Sequence, residues 1–313
     1  MKALLRFLAL FSLIPGLVSM AAERVETLSW EVGSIPIVKL DTFRGEIRVE
    51  PSESGRVELV LAASTPGTEP DAWLRNIEVK STPFGAGLVI SVANTGGEVE
   101  FGLSEKSDRS LALTLRVPQV SNLDIRARQG SIEIGNDFEG RTRARLERGS
   151  VFVGRTKGSV VAQTEMGTIS VARVSGDLTA STRSGNIFVG SVFGWAELHT
   201  ESGDIEVSNT LGGINAVANA GSVQVGVEQS LAKNSRIEAN VGDITLSLNP
   251  KSQMALDARA RWGSVQTGIP FEVDEGPQNE ARIQGSLNGG GPLLALSSNG
   301  GNVKIKPAHR YEF

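Results

Sequence analysis

The side chains of this sequence that come nearest to a catalytic arrangement are three carboxylates. Asp204 and Glu206 lie two residues apart in a segment of alternating polar and aliphatic residues, so they project from one strand face, and Glu133 is expected on the same sheet several turns away. Paired carboxylates about 5 to 9.5 Å apart can hydrolyse glycosides. Nothing in the sequence desolvates these acids or surrounds them with basic and aromatic sugar-binding residues. The favoured interpretation is a solvated polar face, with a β-helical enzyme acting on envelope or extracellular polysaccharide as the alternative.

Other catalytic chemistry is limited by the residues available. The chain of 313 residues has no cysteine, one tyrosine and two histidines, His199 and His309, which excludes a cysteine nucleophile and a histidine-rich metal site. His199 is close in sequence to Glu197 and Glu201, but a general base also needs a positioned nucleophile, and none is evident. We interpret His199 as a solvated surface residue and predict no catalytic residue.

A calcium site is the remaining metal hypothesis, because calcium-binding β-rolls also repeat every nine residues. The acids that directly follow a repeat glycine are Asp177, Asp204 and Asp243. Calcium takes six or more oxygen ligands, and single carboxylates at scattered corners do not supply them. The sequence therefore predicts neither a metal nor a cofactor.

The N-terminus has the layout of a secretory signal peptide. Lys2 and Arg6 precede an apolar stretch over residues 7–18, and small residues follow up to Ala22. The stretch is too short for a bilayer span, which needs roughly 20 residues. We predict cleavage near Ala21 and export to the periplasm or the cell surface. An uncleaved anchor and a buried N-terminal helix remain the alternatives.

Charge and cysteine content narrow the class of the mature protein. Removing Lys2 and Arg6 from the 31 basic residues leaves 29 against 35 acidic residues, so the mature chain is acidic and a nucleic-acid partner is not expected. Without cysteine, an exported chain has neither disulfides nor a lipid-acceptor thiol, so the fold must be stabilised by packing. No transmembrane span is expected after signal cleavage.

Glycine recurs every nine residues through the middle of the chain, which is the signature of a repeat architecture. The second and fourth residues after each glycine are mostly aliphatic and stand between polar ones, as in Gly167-Thr-Ile-Ser-Val171, so each repeat predicts a short strand with one buried face. The glycines permit the tight corners between strands. The ten turn glycines are Gly140, Gly149, Gly158, Gly167, Gly176, Gly185, Gly194, Gly203, Gly212 and Gly221.

The fourth residue after glycine alternates between two series, which indicates how many strands form one turn. The mostly small series and the larger series each repeat at twice the glycine period, about 18 residues, which predicts two parallel strands per turn of an all-β solenoid with a narrow core. The crossover rule favours a right-handed coil. The small series is Ala144, Ala162, Ala180, Leu198 and Ala216, and the larger series is Val153, Val171, Val189, Val207 and Val225.

The repeat signal also sets the domain organisation. Similar glycine-led strands occur before and after the strict zone, for example at Gly45 and Gly301, whereas residues 22–118 have longer connections and a short helix candidate near Asp71–Asn76. A solenoid needs caps because a terminal turn exposes its core and its strand edge. The predicted division is a signal peptide at 1–21, a β-rich N-terminal cap at 22–118, the β-solenoid at 119–306 and a tail at 307–313.

Segments along most of the mature chain resemble the toastrack-type family of bacterial "putative adhesin" β-solenoids. The resemblance depends on Leu111–Pro118, the following Leu123-Asp-Ile-Arg-Ala127 and Gly130-Ser-Ile-Glu-Ile134, the Gly-x-Ile-x-Val repeats, and the closing segments at 285–291 and 294–305. It implies an envelope or cell-surface protein without known catalysis, in some members tied to envelope-stress signalling or adhesion. It supplies no catalytic residues.

One candidate binding surface is aromatic. Phe152 and Phe188 occupy the third position after glycine, which places them outside the core two turns apart, with Ser170 at the same position between them. Two strand spacings separate the rings by about 9.6 Å and leave a shallow slot. Exposed aromatic pairs can mark contact sites. The alternative is that a connection or the N-terminal region covers them.

A second candidate surface is basic. Arg141, Arg143 and Arg145 alternate with core residues and so share one outward face, where an anionic envelope polymer or a lipid headgroup could bind. The alternative is an ordinary solvated charge face. Taken together, the sequence predicts a non-enzymatic binding or scaffold protein of the cell envelope, whose partner is an envelope protein, a glycan or an anionic polymer.

Overall fold

A computed structural model describes residues 21–67, 69–96, 109–273 and 281–308. Residues 1–20 of the predicted signal peptide and residues 309–313 of the predicted tail, with His309, lie outside the described residues. Within the described ranges, no helix has the length and apolar character that crossing a membrane requires. The described residues form 25 strands and one short helix.

The strands and the helix have the following bounds. The first third contains β1 (Ala21–Glu31), β2 (Ile37–Thr42), β3 (Gly45–Ser52), β4 (Arg56–Pro66), α1 (Ala72–Arg75), β5 (Ile77–Phe84), β6 (Gly87–Asn94), β7 (Ser110–Pro118) and β8 (Asn122–Ile134). The middle contains β9 (Thr142–Thr156), β10 (Val160–Met166), β11 (Ile169–Val174), β12 (Leu178–Ser184), β13 (Ile187–Val192), β14 (Trp195–Ser202), β15 (Ile205–Thr210), β16 (Gly213–Ala220) and β17 (Val223–Val227). The last third contains β18 (Ser235–Val241), β19 (Ile244–Leu248), β20 (Met254–Ala260), β21 (Val265–Thr267), β22 (Glu272–Val273), β23 (Arg282–Leu287), β24 (Leu293–Ser298) and β25 (Val303–Pro307).

The strands stack on two faces of one solenoid. Face A contains the first half of β8 and of β9, followed by β10, β12, β14, β16 and β18, each parallel to its neighbour. Face B contains the second half of β8 and of β9, followed by β11, β13, β15, β17 and β19. One strand from each face makes one rung. The all-β, parallel solenoid that the glycine repeats predict is therefore confirmed.

Strand pairing also confirms the predicted length of one turn. Val171 pairs with Val153 and Val189, and Ala162 pairs with Ala144, so each partner lies two glycine repeats away along the chain. Every residue of the two series is almost fully buried. Face A therefore contributes mostly small side chains to the core, and face B contributes valines.

The turn glycines form two columns that differ in backbone conformation. In the column that leads into face B, Gly149, Gly167 and Gly185 have φ values of 126°, 142° and 146°, which L side chains rarely adopt. At both corners space is also missing: a Cβ on Gly185 would lie 2.6 Å from the carbonyl carbon of Gly167, and one on Gly158 would lie 2.6 Å from that of Gly140. Each rung therefore approaches the next so closely that only glycine fits.

The N-terminal region adds rungs to the same stack. β2 and β3 pair in parallel with β8, and β6 and β7 pair with β2 and β3 on the other side, so the earliest rung lies between two later ones. The predicted helix is present as α1, whose first turn is capped by the carboxylate of Asp71 and which Asn76 follows as the C-cap residue. Pairing thus continues across the predicted boundary at residue 118, and the boundary itself stays a division made on sequence.

The C-terminal end repeats this arrangement. β24 and β25 pair with β18 and β19 on one side and with β20 and β21 on the other, so the last rung in the chain lies inside the stack. Antiparallel strands then cover the outer edges: β5 on β6, β4 and β1 beyond β7, and β23 with β22 beyond β20. A terminal rung exposes unpaired backbone groups, and these strands supply partners for those of β6, β7 and β20.

Candidate binding slot

The aromatic slot that the repeat period predicts lies on the outside of face B. Ser170 pairs with Phe152 of β9 on one side and with Phe188 of β13 on the other. The two phenylalanines are 43% and 38% exposed, whereas their neighbours Val153 and Val189 are buried. The rings therefore project outward two rungs apart, and the described residues leave both of them open.

The two rings border a shallow depression of about 190 Å³. Its lining includes Ala172, two residues after Ser170, and Gly190, two residues after Phe188. It also includes Glu206 and Ser208 of the next rung, β15. Both of these β15 residues are exposed. Gly154, which follows Phe152 by two residues as Gly190 follows Phe188, is buried and does not line the depression.

The sequence analysis did not identify Glu206 and Ser208 as slot residues, although the repeat spacing predicts their position. They follow Phe188 and Gly190 by two glycine repeats, the spacing that relates neighbouring rungs. The depression thus extends over four successive strands, β9, β11, β13 and β15, in the direction of the solenoid axis. A ligand that fills it is expected to be elongated along that axis.

A second group of exposed side chains lies further along the same strands. Arg155 and Arg173 follow Phe152 and Ser170 by three residues, and both are exposed. The guanidinium of Arg173 lies 4.5 Å from the ring centroid of Phe193, which is 38% exposed. This cation–π pair stands at the corner between the faces. The sequence signal for Phe193 was weak because it precedes a glycine instead of following one.

The structure divides the predicted arginine surface on face A. In the register of β8 and β9, Arg143 lies opposite Asp124 and Arg145 lies opposite Arg126, whereas Arg141 precedes β9. Arg145 donates from Nε to the amide oxygen of Gln163 at 2.8 Å. The strand alternation does place all three arginines outward, and Arg145 borders a depression.

That depression, of about 440 Å³, has mixed charge. Arg145 lines it together with Arg126 and Arg128, and so do three carboxylates, which are Asp41, Glu147 and Glu165. Arg126 also forms an ion pair of 3.0 Å with Asp124, whose hydrogen bond raises the pKa of Arg126. Acids therefore offset the basic character that the arginine series predicts.

Four of the five carboxylates considered for catalysis or calcium, all except Glu206, have structural partners. Asp177, Asp204 and Asp243 each accept the backbone N–H of the matching residue one rung further along the stack, at 2.8, 2.7 and 2.7 Å. Glu133 forms an ion pair of 3.0 Å with Arg48. These contacts join rungs, so the acids serve as a ladder of hydrogen bonds.

Two further hypotheses concern His199 and metal binding in the part of the chain that the structure describes. His199 is exposed and lies between Ser181 and Val217 of the neighbouring strands. No group of three or more histidine or acidic side chains within the described ranges is close enough to hold a metal ion. Among the predicted acids, Glu206 lies at a surface depression, the slot beside Phe188.

Comparison with known families decides the affiliation of this solenoid. The family model described as Toastrack DUF4097 matches residues 76–306. The chain belongs to this Toastrack family. The family resemblance that the Gly-x-Ile-x-Val repeats and the closing segments indicate is thereby confirmed, and the matched residues include every strand of the slot. No curated protein sequence matches this Toastrack chain.

Three solved structures align with most of the Toastrack chain at low identity. A "putative adhesin" from Bacteroides fragilis is 14% identical, covers 91% of this chain and 97% of its own, and has a TM-score of 0.45. A "putative cell adhesion protein" from Clostridium sporogenes is 14% identical, with coverage of 91% and 100% and a TM-score of 0.24. A "putative lipid binding protein" from Parabacteroides distasonis is 10% identical, with coverage of 90% and 96% and a TM-score of 0.30.

Proposed function

We propose that this protein is a non-catalytic, adhesin-like binding and scaffold module of the cell envelope or cell surface, and that the slot between Phe152 and Phe188 is its contact with a partner. The observation that carries the proposal is the exposure of two rings, 43% and 38%, in register on either side of Ser170. Clustered exposed aromatic surface marks contact sites. A role in envelope-stress signalling is compatible with such a module.

A binding role also suits the character of the surface around the rings. The slot lies on a flat ladder of strands whose backbone groups are already paired, so recognition must come from side chains. Asp204, the predicted partner of Glu206 in an acid pair, accepts a hydrogen bond from the N–H of Ser222. Glu206 is the one carboxylate in the lining of the slot, which supports binding over hydrolysis by a pair of acids.

The magnitude of binding can be estimated from the rings. Covering the exposed parts of two phenylalanine side chains contributes roughly 3 kcal/mol, or about a hundredfold in affinity. The double change Phe152→Ser with Phe188→Ser should therefore reduce affinity by about that factor. Both side chains are outside the core, so the melting temperature should stay nearly the same.

The test measures retention of the mature chain on three separated materials: protein-free peptidoglycan, vesicles of extracted envelope lipids, and the envelope protein fraction. The double variant should lose most retention on the material that binds the wild type. Phe84→Ser is the matched control, because Phe84 is 56% exposed on β5 at the N-terminal edge, away from the slot. Equal retention of wild type and double variant, or easy unfolding of the double variant, contradicts the proposal.

Export is a second part of the proposal and is supported by the N-terminal sequence. Lys2, Arg6 and the short apolar stretch at 7–18 precede the small residues near Ala21. Mass spectrometry of the protein recovered from the periplasm or the medium should find a chain that starts close to residue 22. Recovery of the intact N-terminus from the cytoplasm contradicts export.

A further inference from the structure

The slot is longer than the two rings that define it, and its shape restricts the ligand. Its lining spans β9, β11, β13 and β15, which is about 14 Å along the solenoid axis at three strand spacings. Along each strand it covers only a few residues, from Ser170 to Ala172 in β11 and from Phe188 to Gly190 in β13. A chain-like ligand fits this shape if it runs across the strands, parallel to the axis.

The polar groups at the slot restrict the ligand's chemistry. Ser170, Glu206 and Ser208 supply hydroxyl and carboxylate oxygens, and Glu206 is the one charged side chain in the lining. A neutral ligand rich in hydroxyl groups can donate to these oxygens, whereas a polyanion would be repelled by Glu206. An extended peptide would bring backbone amides over a sheet face that offers them no free backbone partner.

The spacing of the rings restricts the ligand further. Phe152 and Phe188 lie two rungs apart, about 9.6 Å, with the small Ser170 between them. In an extended β-1,4-linked chain of pyranose sugars, each unit is turned over relative to the last, so the same apolar C–H face recurs at every second sugar. One disaccharide is also about as long as two strand spacings. Alternate sugars would therefore meet the two rings, with the intervening sugar over Ser170.

From this geometry we infer that the slot binds a neutral β-1,4-linked polysaccharide that lies along the solenoid axis, with one sugar on Phe152, the second-next sugar on Phe188, and hydroxyl groups donating to Glu206 and Ser208. This inference rests on the proposed function and names the ligand class of the same site. Three consecutive sugars are the shortest piece that contacts both rings.

The test is calorimetric titration of the mature chain with N-acetylglucosamine oligomers in β-1,4 linkage, from two to six units, and with α-1,4-linked glucose oligomers as the linkage control. Affinity should rise at least tenfold between the disaccharide and the trisaccharide and then level off. Phe152→Ser and Phe188→Ser should each remove this rise. Phe84→Ser should keep it, and Glu206→Gln should weaken every β-linked oligomer severalfold.

Several outcomes overturn the inference. A trisaccharide that binds no better than the disaccharide, or equal binding of the α-linked oligomers, refutes the register of alternate sugars on two rings. Suppose that an envelope material still retains the protein through Phe152 and Phe188 while no β-1,4-linked oligomer binds. The proposed function then stands and the glycan inference is wrong. If retention is independent of both phenylalanines, both proposals fail.

Discussion

Replacing one glycine of the face B column tests the account of how the rungs stack. Gly185 has a φ of 146°, and a Cβ there would lie 2.6 Å from the carbonyl carbon of Gly167 in the adjacent rung. Forcing alanine into such a backbone conformation costs about 1 to 3 kcal/mol. The contacted atoms are backbone, so the rungs must separate, and overpacking of this kind adds about 1 to 3 kcal/mol. Adding the middle of each range, Gly185→Ala should destabilise the fold by about 4 kcal/mol.

Two other glycines separate the contributions of conformation and space. Gly85 also has a positive φ, 57°, but a Cβ there has nothing within 4 Å, so Gly85→Ala should cost about 1 kcal/mol. Gly55 has open space and no positive φ, so Gly55→Ala should be neutral or slightly stabilising. Denaturant unfolding followed by circular dichroism measures all three. If Gly185→Ala is no less stable than Gly85→Ala, close stacking does not explain the glycine column.

Three further predictions address the core, the charges and metal dependence. Ile187→Asp should lower stability by several kcal/mol, because Ile187 is fully buried between Ile169 and Ile205 and a carboxylate there has no partner; an unchanged melting temperature contradicts the burial. A hydrogen bond from Arg259 lowers the pKa of Asp257 below its usual 3.8, so the charged form adds stability above that pH and loses it as the pH falls through the lowered pKa. In urea unfolding, Asp257→Asn should therefore be less stable than the wild type at pH 7, with the difference closing in acid; a gap that does not change with pH opposes this. Chelator should leave the circular dichroism unchanged, and a loss that calcium restores would overturn the expectation of a metal-free fold.

The strict repeat explains how much of the fold is readable from sequence. Because glycine and the aliphatic positions recur every nine residues, the strand faces and the two-strand turn follow from counting, and Val171 pairs with Val189 as the count requires. The order of the terminal rungs does not follow. β24 pairs with β18 on one side and with β20 on the other. The glycine-led pattern of the last rung resembles that of the other rungs, so the sequence alone does not identify these neighbours.

The candidate surfaces show the same division. The period alone places Phe152 and Phe188 on one face, and the same arithmetic extends the slot to Glu206. The arginine series did not predict the mixed charge of its surface, because strand alternation gives the direction of a side chain but not its ion-pair partners. Arg126 is bound by Asp124, a contact between residues two positions apart on the same strand that periodicity does not report.

The first and last rungs of the chain lie inside the stack, and this arrangement keeps the slot away from open strand edges. A sequentially stacked solenoid would end on the first and last strands of the chain, and those edges would open readily, since each rung contacts only its neighbours. Here the earliest rung is held between β6–β7 and β8, and the last between β18–β19 and β20–β21. Antiparallel strands then cover the outside edges on face A at both ends. The strands that carry the slot, β9, β11, β13 and β15, are therefore paired on both sides and lie far from either end. The spacing of the two rings is thus fixed by the strand ladder before any ligand binds. A rigid spacing favours ligands whose repeat matches it, because the protein then loses little conformational freedom when both rings contact the ligand.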